Sequence, residues 1–250
     1  MYDISIRSFI TMRLHLEIIR KYVMTVDYKR NRRYFDTINW VVIGTLVIIS
    51  IALLFFYIFV GIILLLATGS FLYFKLRDIP TDDEIDAVFE EQSRIVLDTG
   101  YQKLGLTQNE VNIMDPIVIH GPLIKNIRFS PAIKSGKDKI VRSSNHEVIA
   151  FYFGKDQVYV YYYSFSVIDN ERNEVIDSYF YEDVISVSTS STTTAYYDSS
   201  KKREEFVNLA SINFNTYGPT SIQCAIQNLQ RVEEKIYEMK NLLGEKKSAS

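Results

Sequence analysis

The 250-residue sequence contains one cysteine, three histidines, one tryptophan, five prolines and ten glycines. A lone cysteine makes no intrachain disulfide, so the fold is expected to rest on packing in a reducing compartment. So few prolines and glycines exclude collagen-like and low-complexity chains. His15, His120 and His146 stand far apart, with no cysteine or carboxylate at metal-ligand spacing, so no metal site is expected. There is no Walker A loop, dinucleotide glycine fingerprint or nucleophile-elbow pentapeptide, and the chain is read as a non-enzyme with no catalytic residue and no cofactor. A net charge of −2 leaves no basic excess for nucleic acid. The aromatic run at Tyr159 and Tyr161 to Tyr163 is read as packing before base stacking. Charge is missing most conspicuously in one place.

From Thr37 to Phe74 there are 38 consecutive uncharged positions. One helix of that length would extend about 57 Å, roughly twice the ~30 Å hydrocarbon core of a bilayer. Two helices fit better, Trp40 to Tyr57 and Phe59 to Leu76, joined by a turn between Phe56 and Gly61. Lys29, Arg30, Arg32 and Arg33 precede the run and Lys75 and Arg77 follow it. Basic flanks on both sides predict a transmembrane hairpin with both ends cytoplasmic, in the inner or plasma membrane, with Trp40 and Tyr73 as interfacial anchors. The first 36 residues hold eight basic and four acidic side chains, with Phe9, Met12, Leu16, Ile19 and Val23 at helical spacing. They read as a basic amphipathic segment that either lies on the anionic leaflet or is a solvated or subunit-packed helix.

After the run, Pro80 ends the apolar helix and Thr81 with Glu84 forms a capping box. The connector, residues 77 to 110, carries eight acids and one base, Arg94, between Asp78 and Asp98. Repelled by anionic headgroups, it would hold the next domain off the bilayer; a solvated helix face is the plainer alternative. From Val111 onward the chain turns to short β-rich runs: 117–120, 124–129, 140–153, 157–167, 175–188 and 205–214. In the last of these Val207 and Leu209 share one parity and Ala210, Ile212 and Phe214 the other, which predicts a bulge or bend near Leu209. Ser186 to Thr194 reads as a polar strand end and loop. A final helix over residues 220 to 243 is predicted from the Thr220–Gln223 capping box and from the spacing of Ile222, Ile226, Leu229, Val232, Ile236, Met239 and Leu243. Cys224 near its start is either a small core residue or a thiol activated by the helix dipole.

This order predicts an α+β membrane protein: a helical hairpin, then an antiparallel β-barrel or sheet with a C-terminal amphipathic helix. A bent meander closed by one helix resembles a pleckstrin-homology-type barrel over about Val111 to Leu243, and bacterial members of that superfamily are often joined to paired membrane helices. Asp78 to Asp86, His120-Gly-Pro122, Lys134 to Asp138, Val141-Arg142-Ser143 and Tyr179 to Ser188 are similar to a family of uncharacterised bacterial membrane proteins, a resemblance that implies no activity. Lys134, Lys137, Lys139 and Arg142 gather on a Gly-containing loop that resembles the phosphoinositide-gripping loop of some pleckstrin-homology domains, which implies headgroup or phosphate binding. The function expected is a membrane-anchored cytoplasmic interaction module whose partners are the bilayer and either another protein or a second copy through the C-terminal helix. The alternative is an oligomerising effector whose β-domain senses a ligand and whose hairpin perturbs the membrane, with Gly44, Gly61 and Gly69 as close-packing points.

Overall fold

The computed structural model describes residues 26–107, 110–111, 113–124, 131–217 and 221–248. The amphipathic pattern of the first 25 residues, all but the first residue of the 124–129 run and the Thr220 cap lie outside them. Helix α1, Tyr28–Phe35, starts at Asp27, whose carboxylate accepts from Arg30 N. Helix α2, Trp40–Phe56, bends from it by 84° and is capped by Asn39. Helix α3, Ile58–Leu76, follows after the single residue Tyr57, and among the described helices it alone is long and apolar enough to cross a membrane. α2 has 17 residues.

One non-helical residue breaks the run: Tyr57 sits at φ −140°, ψ 74°, with its N–H still donating to Leu53 O. Gly61 is required there, because a Cβ would collide with Leu54, 2.7 Å from its backbone nitrogen. The buried positions are Ile43 and Ser50 on α2 and Gly61 and Thr68 on α3, one seven-residue step apart on each helix, so the two pack along a single seam. Ser50 and Thr68 satisfy their hydroxyls on the carbonyls of Leu46 and Leu64. Most of the remaining apolar side chains are exposed, as at Phe55 and Phe59, at 83% and 80%, while Val47, Leu53, Leu54, Leu64, Leu65 and Leu72 are half-buried.

Helix α4, Asp82–Lys103, begins at the expected capping box: Glu84 N donates to Thr81 Oγ1, and Thr81 N to the Glu84 carboxylate. Two sheets follow. The first has the order β1 (Met114–Pro122), β4 (Asn145–Phe153), β5 (Gln157–Ser166), β6 (Arg172–Phe180), antiparallel throughout. The second is mixed, β3 (Val141–Ser143), β2 (Ile133–Ser135), β7 (Val184–Asp198), β8 (Arg203–Thr216), β9 (Ser221–Ile226), with β2 and β7 parallel at Ile133 and Asp198. Helix α5, Leu229–Ser248, ends the described fold.

The fold is therefore α+β, but the sheets do not close into the expected barrel. Along one side β1 meets β9, where Gln227 N donates to His120 O; on the other, among the described residues, the outer edge of β6 has no strand partner. β4 is buried on both faces at all nine positions. One face packs Ile149, Phe151 and Phe153 against Ile212, Phe214 and Cys224 of the second sheet, under Ile236, Met239 and Leu243 of α5. The other packs Val148, Ala150 and Tyr152 against Ile85, Phe89 and Val96 of α4 and Tyr34 and Phe35 of α1.

Three further expectations are corrected. Residues 221–226 are strand β9, since Ile222, Cys224 and Ile226 obey the two-residue period of a strand inside the sheet core, and the helix starts only at Leu229. Residues 175–188 are split by a single 3-10 turn at Tyr181–Asp183, and the polar run 186–194 lies within β7, not in a loop. β7 and β8 pair without interruption from Ser186 to Asp198, so there is no bulge at Leu209; the register shift falls between Val184 and Ser186. The parity change arises because the long hairpin buries opposite faces at its two ends. Ile212 and Phe214 face the inter-sheet core, while Val207 and Leu209 pack with Ile124, Ile133 and Tyr196.

Candidate functional site

The residues singled out in the basic loop come together, yet they divide into two pairs. β2 and β3 form a short hairpin whose turn, Gly136 to Ile140, reaches the first turns of α4. Arg142, 1% exposed, donates from Nε and Nη2 to Asp86 at 2.7 and 2.6 Å and from Nη1 and Nη2 to Asp138 at 3.0 and 2.6 Å. Two forked carboxylates hold the guanidinium charged despite burial, and its hydrogen bonds draw Asp138 down to about 2. Lys134 is turned inward too. Its Nζ lies 3.9 Å over the Tyr34 ring and donates to Tyr34 O at 2.9 Å, and burial lowers its pKa. Lys137 and Lys139 face solvent, while Lys137 N donates to Asp82 Oδ2 at 2.8 Å.

Three acids of the connector join the domain to the flank of the hairpin. Tyr34 Oη donates to Asp82 at 2.7 Å; Arg30 pairs with Glu84 at 2.6 Å and Arg33 with Asp78 at 3.1 Å; Arg32 donates to Ile168 O at 3.0 Å. Lys29 and Trp40 are exposed. Arg30, Arg32, Arg33 and Tyr34 before α2 and Asp78, Asp82 and Glu84 after α3 thus belong to one clamp.

A second cluster escaped the reading of the sequence. The β1–β4 register sets Pro122 opposite His146 and His120 opposite Val148, which makes the two histidines diagonal neighbours. His120 Nδ1 lies 3.0 Å from His146 Nε2, and His120 Nε2 3.6 Å from Glu90 of α4. His146 is fully buried and stacked on Phe89 with centroids 4.2 Å apart; burial and His120 hold its pKa well below the ordinary range. The next residue, Glu147, faces the other side of β4, accepting from Ala225 N at 2.6 Å and Tyr162 Oη at 2.9 Å. Only the strand pairing brings these groups together, and the isolated spacings of the histidines carry no sign of it. Cys224 is buried on β9, where burial pushes its thiol well above 9.0; it is a core residue. Among the described residues no three His, Cys, Asp or Glu side chains converge to hold a metal.

Burial raises the Glu147 carboxyl from 4.5 to about 7. The folded state then holds this proton more tightly than the unfolded chain, so the contribution is complete below 4.5 and is lost as pH rises through 7. Across that window the protein should lose about 3 kcal/mol that Glu147→Gln does not lose. Denaturant unfolding of both proteins at pH 5, 6.5 and 8 measures the difference in slope; parallel profiles would show that Glu147 ionises in the fold without penalty.

Comparisons with protein-family models, curated proteins and solved structures find no match. Fold and site together define an α+β protein that carries an outward-facing apolar helical pair on a clamped polar base.

Proposed function

We propose that the chain is a membrane-anchored interaction module: α2 and α3 cross the bilayer as a hairpin, and the α+β domain stands on the cytoplasmic side to receive a protein partner or an anionic surface. The observation that carries this reading is the outward apolar surface of α2 and α3, in which Val41, Ile48, Phe55, Phe59, Ile63 and Leu66 face away from the protein. Leaving such side chains against water would forgo their transfer free energy, about 1.5–3 kcal/mol each, which a lipid surround supplies. Because α1 and α4 both pack on the sheet, both ends of the hairpin must lie on one side. Lys29, Lys75, Arg77, Lys137 and Lys139 surround that base, where cations favour the anionic leaflet. The stripe of α5 is committed to the sheet core through Ile236, Met239 and Leu243, so a partner would meet its opposite face, around Tyr237.

A pair of cysteine variants tests topology. With a membrane-impermeant maleimide, Tyr57→Cys should label in intact cells and Lys240→Cys only after permeabilisation, while buried Cys224 stays silent. Labelling of Lys240→Cys in intact cells would overturn the cytoplasmic placement, and release of the protein by alkaline carbonate would overturn the anchor.

A further inference from the structure

Among the described residues, three of the four sheet edges are short or covered. β1 and β9 close on each other through the Gln227 N to His120 O bond, and β3 has only three residues. The fourth, β6, runs for nine residues, pairs with β5 without a register shift, and contains no proline or lysine between Arg172 and Phe180. Bulges, prolines and lysines are the devices that keep a free edge from pairing. This edge has none of them, and it is apolar on both faces, with Val175 40% and Ile176 43% exposed.

The hairpin determines which backbone groups point away from β5. Ser166 N donates to Glu171 O at one end, and Tyr181 N donates to Asp156 O at the other. Both bonds fall on odd-numbered residues flanking β6, and hydrogen-bonded pairs alternate with non-bonded ones along an antiparallel ladder. Asn173, Val175, Asp177 and Tyr179 therefore turn their backbone groups to β5, and Arg172, Glu174, Ile176, Ser178 and Phe180 turn theirs outward. The Ser178 N–H is held by Asp177 Oδ1 at 3.0 Å.

A two-fold antiparallel ladder on this edge must set even-numbered residues opposite even-numbered ones. Centring it on Glu174 or Asp177 opposes two carboxylates, and centring it on Ile176 sets both Asp177 side chains against Val175. Centring it on Val175 brings valine onto valine and Asp177 onto Asn173, whose amide donates to a carboxylate, while Arg172 and Glu174 exchange backbone bonds with Ser178 and Ile176 of the second copy. Asp177 then releases the Ser178 N–H to the ladder, and Glu174 keeps Lys103 of its own α4 at 3.0 Å. The edge is complementary to itself in this one register.

We propose that the protein forms a two-fold homodimer by joining β6 to β6 of a second copy, with Val175 on the axis, so that the two first sheets run on as one. The inference is independent of the membrane reading.

Full-length protein in detergent should be sized by light scattering with empty micelles in excess, which separates copies that merely share a micelle. A dimer is expected. Val175→Cys should join two copies by a disulfide under mild oxidation, because the Cα atoms of a non-hydrogen-bonded pair lie about 4.5 Å apart, within disulfide reach, and buried Cys224 adds no background. Ile176→Cys is a diagonal neighbour of its own copy and should cross-link at least about fivefold less. Val175→Lys, at an exposed side chain, opposes two ammonium groups on the axis and should raise the dimer dissociation constant at least about tenfold. Should Val175→Lys not fold, the two cysteine variants decide the matter alone. A single copy per micelle at micromolar concentration would overturn the proposal and leave the edge to a strand of a different protein. A dimer unmoved by Val175→Lys, or Ile176→Cys cross-linking as well as Val175→Cys, would overturn it equally.

Discussion

Arg142→Met should lower the unfolding free energy by about 3 kcal/mol, the lower end of what breaking a buried ion pair costs. The guanidinium is 1% exposed, whereas its partners Asp86 and Asp138 are 31% and 38% exposed, so water softens the loss for the stranded carboxylates without removing it. For a chain of this size the melting temperature should fall by roughly 6–12 °C. Arg142→Lys should behave almost as badly, because a single ammonium cannot make two bidentate contacts. Arg94→Met removes the same charge from an exposed i,i+3 pair and should change stability by less than about 0.5 kcal/mol. Adding Asp86→Asn and Asp138→Asn to Arg142→Met should recover much of the loss, since stranded carboxylates are its source. A melting temperature within two degrees of the parent for Arg142→Met would refute the clamp as an energetic feature.

Gly121→Ala should be comparably severe. Gly121 lies on β1 opposite Glu147, and a Cβ there would strike the carbonyl of Ala225 on β9 and approach the Ala225 Cβ to 2.9 Å. Neither strand has room to withdraw. β1 is held by β4 and β9 by β8, and the Gln227 N to His120 O bond closes the seam one residue away. Forcing a methyl between two backbones should cost about 3 kcal/mol and separate β1 from β9. Reaction of Cys224 with a thiol reagent is a sensitive readout: the thiol, sealed beneath that seam, should become reactive in the variant while Gly244→Ala, with open space around the added carbon, leaves it inert. An unreactive Cys224 in Gly121→Ala would mean that the seam tolerates the methyl.

The parts of this architecture that local chemistry dictates were legible in the sequence. The uncharged run gave the limits of α2 and α3 to within a residue at each end, and Thr81 with Glu84 marked the first turn of α4. Errors arose where two periods coincide. Ile222, Ile226 and Leu229 satisfy helical spacing, but Cys224 between them completes the alternation of a strand, and only the presence of β8 beside it decides the outcome. The basic loop was legible as a charged cluster and not as a paired one: its partners Asp82 and Asp86 lie some 50 residues earlier, at contacts separated by 55 and 56 positions. The two histidines met for the same reason, through an antiparallel register that no local pattern encodes.

Helix α1 precedes the apolar pair, yet Tyr34 and Phe35 are core residues of the sheet that follows it. The globular unit is consequently discontinuous in sequence, and the hairpin is an insertion into it rather than a leader in front of it. Cutting the chain at Asp78 would leave a socket on Lys134 and Asp82 without its plug; joining Asp36 to Asp78 through a short flexible bridge would excise the apolar pair and keep the domain whole.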